Sequence, residues 1–281
     1  MKISNRNLIA AALLSLALFP RLVLADPKSD AYPFAKEGKE AAEKKQWDKA
    51  ITNFEKAAKA NPKEANNHNN LGLAYKGAGK LDQAIKAFSD AIEAEPNATA
   101  GYINRGVVYT SQNKFDEAIA DLDKAIKIKS DNVPAHRYRA FAYLQKKDYQ
   151  KAVEDYNVVL KEKGNDLEML DRRAFAFWNL KEYDKAIADY DKIVKDKPND
   201  KDGYLHRSYA YELKGDTANG IADCDKVLSM DPNNAEAKAR KARLEYKKTA
   251  ANPTPTPSAR PRRTLPPEPT ATPGKKPTPR P

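Results

Sequence analysis

Six times along this chain, at intervals of 34 residues and without an insertion or deletion, a small residue falls at one position: Ala50, Ala84, Ala118, Ala152, Ala186 and Gly220. A strict period of this length means one short supersecondary unit copied and stacked, because a unit of that size cannot bury an apolar face alone. One residue further on stand Ile51, Ile85, Ile119, Val153, Ile187 and Ile221, and four further on Phe54, Phe88, Leu122, Tyr156, Tyr190 and Cys224. That spacing is one face of a helix. Twelve residues before the first slot come Gly38, Gly72, Gly106, Ala140, Ala174 and Ser208, small enough to let two helices approach closely. Ala41, Tyr75, Tyr109, Tyr143, Phe177 and Tyr211 follow three residues after them.

Short polar turns such as Gly79-Lys80-Leu81-Asp82 separate the two apolar faces, so each unit reads helix, turn, helix. Asp48, Asp82, Asp116 and Asp184 are placed to cap the second helix. Pro62, Pro96, Pro198 and Pro232 close four units, since proline cannot continue a helix. The units run 31–64, 65–98, 99–132, 133–166, 167–200 and 201–234. Residues 235–250 are expected to cap the stack as one more helix, with Ala235, Ala239, Ala242 and Tyr246 turned inward and Lys238, Arg240, Lys241, Arg243, Lys247 and Lys248 turned to solvent.

Spacing, small slot, aromatic slot, alanine slot and closing proline together resemble the tetratricopeptide repeat, from Ala31 to Asn234. The resemblance implies an all-α fold: a right-handed superhelical solenoid of six antiparallel hairpins plus the capping helix, with the first helix of each pair lining a concave surface. Ser130 and Gly164 depart from the closing proline. The sixth unit, with Thr217 and Gly220 at slots its neighbours fill with an aromatic and an alanine, is expected to be the softest.

The two ends differ from the repeats. Lys2 and Arg6, the apolar run Leu8 to Phe19, and Val23-Leu24-Ala25 have the pattern of an export signal cleaved before Asp26, too short to span a bilayer. The expected location is therefore periplasmic or secreted. From Asn252 the composition turns to Pro, Thr, Lys and Arg, as in Asn252-Pro253-Thr254-Pro255 and Pro261-Arg262-Arg263, which predicts a disordered basic spacer. The formal charge of +11 is concentrated at these ends: Lys2, Arg6 and Arg21 at one, and six Lys and Arg against Glu268 at the other. The repeats are nearly balanced, which argues against nucleic acid as a partner.

Nothing in the pattern proposes chemistry. Cys224 is the single cysteine, the three histidines have no metal-ligand spacing, and there is no phosphate loop or nucleophile elbow, so neither an enzyme nor a cofactor is expected. One constellation stands out. Arg105, Arg139, Arg173 and Arg207 precede the small slot in units three to six, and Asp121, Asp155, Asp189 and Asp223 lie sixteen residues beyond them. The first two units have Glu37 with Asn53 and Leu71 with Ala87 instead. Arg and Asp are equidistant from the turn, so antiparallel packing sets them at one height, and a structural ion-pair ladder is expected.

Family geometry places the inward face of each first helix at four positions. Units one and two show small or polar residues there. Later units show Ile103 and Val107, then Arg137, Phe141 and Leu144, then Asp171, Phe175 and Trp178, then Leu205, Tyr209 and Glu212. These form the expected groove for a protein or peptide partner, with Asp171 and Glu212 selecting a basic or amide-rich segment. Some family members grip a C-terminal carboxylate. Lys39 and Asn70 resemble parts of that clamp, but Ala35, Ala100 and Asn104 fill the remaining slots. The function expected is a non-catalytic envelope scaffold; the alternative is a structural tether that contacts an anionic polymer through its tail.

Overall fold

The computed structural model describes residues 29–162 and 164–251. The export signal and the Pro-rich tail lie outside the described residues. Within them the chain forms thirteen α-helices and no strand. In order these are α1 (Tyr32–Glu43), α2 (Trp47–Ala60), α3 (Ala65–Gly77), α4 (Leu81–Ala94), α5 (Thr99–Ser111), α6 (Phe115–Ile128), α7 (Val133–Gln145), α8 (Tyr149–Glu162), α9 (Leu167–Asn179), α10 (Tyr183–Asp196), α11 (Lys201–Lys214), α12 (Thr217–Met230) and α13 (Ala235–Ala251). Each helix packs on its neighbours in sequence, and successive first helices also touch along the stack, α1 on α3, α3 on α5 and α5 on α7.

The small slot explains how each pair closes. A Cβ on Gly38 would stand 2.8 Å from the Phe54 ring, and one on Gly72 only 2.5 Å from the Phe88 ring. The bulky residue of the second helix therefore occupies the space that the first helix leaves empty, and Phe54, Phe88, Leu122 and Tyr156 are fully buried. In the sixth pair Ser208 and Cys224 meet at the same place, Oγ to Sγ 3.2 Å.

Six left-handed residues, again 34 apart, turn the chain between paired helices: Lys45, Gly79, Asn113, Lys147, Lys181 and Gly215, with φ between 56° and 87°. At each, two backbone bonds end the first helix. At Lys181 the amide donates to Trp178 O at 2.9 Å, and that of Glu182 to Phe177 O at 2.9 Å. Four of the six turns put a side chain where glycine is at least cost.

The expected aspartate caps are corrected. The second helices begin two residues earlier than the capping reading needs, so Asp48, Asp82, Asp116 and Asp184 are their second residues, and the caps Gln46, Lys80, Lys114 and Glu182 make no side-chain bond. Their charge still complements the positive end of the helix. Their side chains accept from the next unit: Asp48 from Lys80 at 3.1 Å, Asp82 from Gln112 at 3.2 Å, Asp116 from Lys146, and Asp184 from Lys214 at 2.6 Å. They stitch units together.

The inward face of α13 is also corrected. Ala237, Arg240 and Leu244 are buried, whereas Ala235, Ala239 and Ala242 are exposed and Tyr246 is 75% exposed. The reason is register. Counted on from α11 by 34, Lys241 holds the Arg slot, Ala242 the small slot, and Leu244 the slot of buried Ala210. Thus α13 is a seventh first helix, and Leu244 covers Gly220, whose added Cβ would meet it at 3.0 Å.

Candidate functional site

The Arg and Asp residues of the last four pairs meet across α5–α6, α7–α8, α9–α10 and α11–α12. Arg105 Nε and Nη2 donate to Asp121 at 2.8 and 2.7 Å, and Arg139, Arg173 and Arg207 bind Asp155, Asp189 and Asp223 in the same bidentate way. The carboxylates are almost wholly buried, and the guanidinium groups retain 16–21% exposure. The Asp223 bonds and charge, working against burial, raise the Arg207 pKa. The remaining nitrogen, Nη1, reaches back sixteen residues into the preceding pair: Arg105 to Ser89 at 2.8 Å, Arg139 to Asp123 at 2.5 Å, Arg173 to Asn157 at 2.7 Å and Arg207 to Asp191 at 2.7 Å. Lys241 repeats this on Asp225 at 2.6 Å. Each arginine thereby ties three helices together. Asp155 accepts a further bond, from His136 Nδ1 at 2.6 Å, while His136 Nε2 faces Ser130 O at 2.9 Å.

With the ladder fixing the stack, the first helices present a row of half-buried rings. Phe175 lies edge-on to Tyr149 and to Trp178, with centroids 6.4 and 5.5 Å apart, and Trp178 lies edge-on to Tyr209 at 4.4 Å. Guanidinium groups border the row: Arg172 stands 5.1 Å over Phe141 and Arg240 4.6 Å over Tyr209. Both are buried cations backed by a glutamate four residues earlier, Glu168 and Glu236. Arg137 pairs with Asp166, Asp171 with His206 at 3.2 Å, and Ile103 and Val107 pack half-buried against the core of α6 and α7.

Three residues expected on the groove surface are interior. Leu144 belongs to the core between α7 and α10, and Leu205 packs on Val227 and Ala237. Glu212, 8% exposed, is held by α13: Arg243 binds it bidentately at 2.7 and 2.8 Å and Lys247 at 2.9 Å. The Arg243 bonds, with help from Lys247 and against burial, pull its carboxyl down to about 2. It is therefore not available to select a basic partner. Sequence reasoning missed this because Arg243 and Lys247 are 31 and 35 residues away, on a helix read as presenting them to solvent. The 34-residue count carried once more through α13 was the signal.

Family models for the tetratricopeptide repeat match residues 69–134 and 172–235, and 109–174, and a model for the TPR repeat matches 38–79. The chain belongs to the tetratricopeptide-repeat family. No curated protein matches it. Among solved structures the TPR fold is shared with YrrB, described as a TPR protein with an unusual peptide-binding site, at a TM-score of 0.63 and 19% identity over 67% of this chain and 97% of that one. PilF of Pseudomonas aeruginosa gives 0.61 and 16% over 76% and 97%. A TPR protein of Parabacteroides merdae gives 0.59 and 20% over 79% and 89%. These likenesses show the TPR fold, which is generally that of a non-catalytic interaction scaffold, and no enzymatic family is indicated. Among the described residues, no helix is long and apolar enough to cross a membrane, and no cluster of His, Cys, Asp or Glu has the form of a metal site.

Proposed function

We propose that the chain is a non-catalytic scaffold of the cell envelope that holds a peptide or protein segment along the first helices of units three to six. The observation that carries this reading is the row Phe175, Trp178 and Tyr209, whose rings touch one another in sequence while each keeps part of its surface open. Large, partly exposed rings combine apolar burial with polar edges, the property that makes Trp and Tyr the energetic centres of interfaces. The opening units offer no such row: the positions corresponding to Phe175 and Trp178 are Lys39 and Ala42 in the first unit and Leu73 and Lys76 in the second. YrrB, with its own peptide-binding site on the same fold, supports a peptide as the class of partner. Export rests on the basic start and apolar run of residues 2–19.

The test compares three chains in pull-down from cell-envelope extract: the full chain, the chain ending at Ala251, and Phe175→Ala with Trp178→Ala. The groove reading expects the double variant to lose the partners and the shortened chain to keep them. The opposite pattern supports the tether, whose basis is the basic, proline-dense composition of residues 252–281.

A further inference from the structure

The ring row ends at α13 in a cluster with more cations than carboxylates. Glu212 is almost fully enclosed, its side chain only 6% exposed, whereas Arg243 and Lys247, which both bind it, remain 43% and 49% exposed. One buried carboxylate thus serves two half-open cations four residues apart on one helix face. Glu212 uses Nε and Nη2 of Arg243 and one proton of Lys247. The Nη1 donors of Arg243 and two of the three ammonium protons of Lys247 are left over from these bonds, on side chains that are half-exposed. Arg240, beside them over Tyr209, is spent on Leu205 O at 2.7 Å and on Glu236 at 2.7 Å. The cluster therefore carries one surplus positive charge, beside the half-buried Tyr209, which in turn touches Trp178.

Resting on the groove reading above, we infer that this end of the groove selects a segment with an Asp or Glu side chain beside apolar residues, its carboxylate entering between Arg243 and Lys247. This reverses the preference for a basic segment that Asp171 and Glu212 suggest in the sequence. Glu212 is neutralised within the fold, and Asp171 is engaged by His206. A basic segment would meet only the two cations. An acidic one completes a two-cation, two-carboxylate arrangement in which the added partner forms charge-assisted bonds at a surface already partly shielded from water.

The experiment probes an array of random heptapeptides, acetylated and C-terminally amidated, with the full chain, with Lys247→Gln and with Phe175→Ala/Trp178→Ala. Lys247→Gln removes the surplus charge but leaves Arg243 bidentate on Glu212; unchanged thermal unfolding checks that the fold is intact. The inference expects peptides bound through the rings to be enriched in Asp and Glu. Lys247→Gln should weaken those peptides about fivefold, the scale of one partly exposed charge pair, and leave neutral peptides unchanged. Ring-dependent peptides that are neutral or basic, or acidic peptides indifferent to Lys247→Gln, would overturn the inference and leave the groove reading standing. Binding only by a parallel array with free C-termini would overturn it as well, because the carboxylate would then be a chain end. If no peptide binds through the rings, the groove reading itself fails, and the inference with it.

Discussion

Arg139 closes on Asp155 through two parallel hydrogen bonds of 2.8 and 2.7 Å, across the sixteen residues that separate them in the α7–α8 hairpin. Asp155 also receives His136, so this one carboxylate satisfies two donor groups. Removing it leaves two donors of the Arg139 guanidinium and the Nδ1 of a buried imidazole without their acceptor, while Arg139 Nη1 stays on Asp123. Asp155→Ala is expected to lower unfolding stability by about 3 kcal/mol, in the range for breaking a buried pair. Asp121→Ala should cost less, about 2 kcal/mol, because Asp121 accepts from Arg105 and has no counterpart of the His136 bond to Asp155. Urea unfolding of the two variants measures the difference, and equal losses would contradict it.

The left-handed turn residues give a prediction of opposite sign at equivalent positions. Lys181 holds φ at 63° and Gly215 at 87°. Lys181→Gly removes the steric cost of the left-handed conformation and should stabilise by about 0.5–1 kcal/mol, net of the added freedom of the unfolded chain. Gly215→Ala should destabilise by about 1 kcal/mol. Thermal melts of both variants decide the matter.

The architecture is legible in the sequence because its period is strict: the slots of Ala50, Phe54 and Gly38 recur at 34 and place both helices of every pair. What escaped is what depends on contacts between units. The spacing of sixteen that joins Arg105 to Asp121 joins it equally to Ser89, but Ser89, Asp123, Asn157 and Asp191 differ in chemical type, so the second contact leaves no residue pattern. The buried face of α13 escaped for another reason. Arg240 sits in its centre, and a charged residue is assigned to solvent unless its partners, here Tyr209, Leu205 O and Glu236, are known. Leu144, Leu205 and Glu212 share the helical spacing of the exposed rings, and only the stacking of the next helix separates buried from open.

Glu212 ties α13 to the sixth unit in a pH-dependent way. Its carboxyl is held down to about 2, by the Arg243 bonds foremost, against about 4.3 for a free glutamate. A group whose folded pKa is depressed contributes stability that is complete above the unfolded value and is lost as pH falls through the folded one. The docking of α13 should therefore weaken between about pH 4 and 2. Hydrogen-exchange protection of the α13 amides, taken relative to the intrinsic rate at each pH, should fall across that window in the wild type. In Glu212→Gln the exchange should already be faster at neutral pH and lack the Glu212-dependent step.

The central claim is that a partner lies against the first helices of units three to six. Crosslinking with mass spectrometry on the native cell envelope tests it most directly. A partner peptide is predicted to crosslink to side chains on the first-helix face, such as Asp171 of α9 and Lys247, which lies against Glu212 of α11, with those crosslinks lost in Phe175→Ala/Trp178→Ala. Crosslinks confined to α2, α4, α6 and the other second helices, or to residues 252–281, would contradict it.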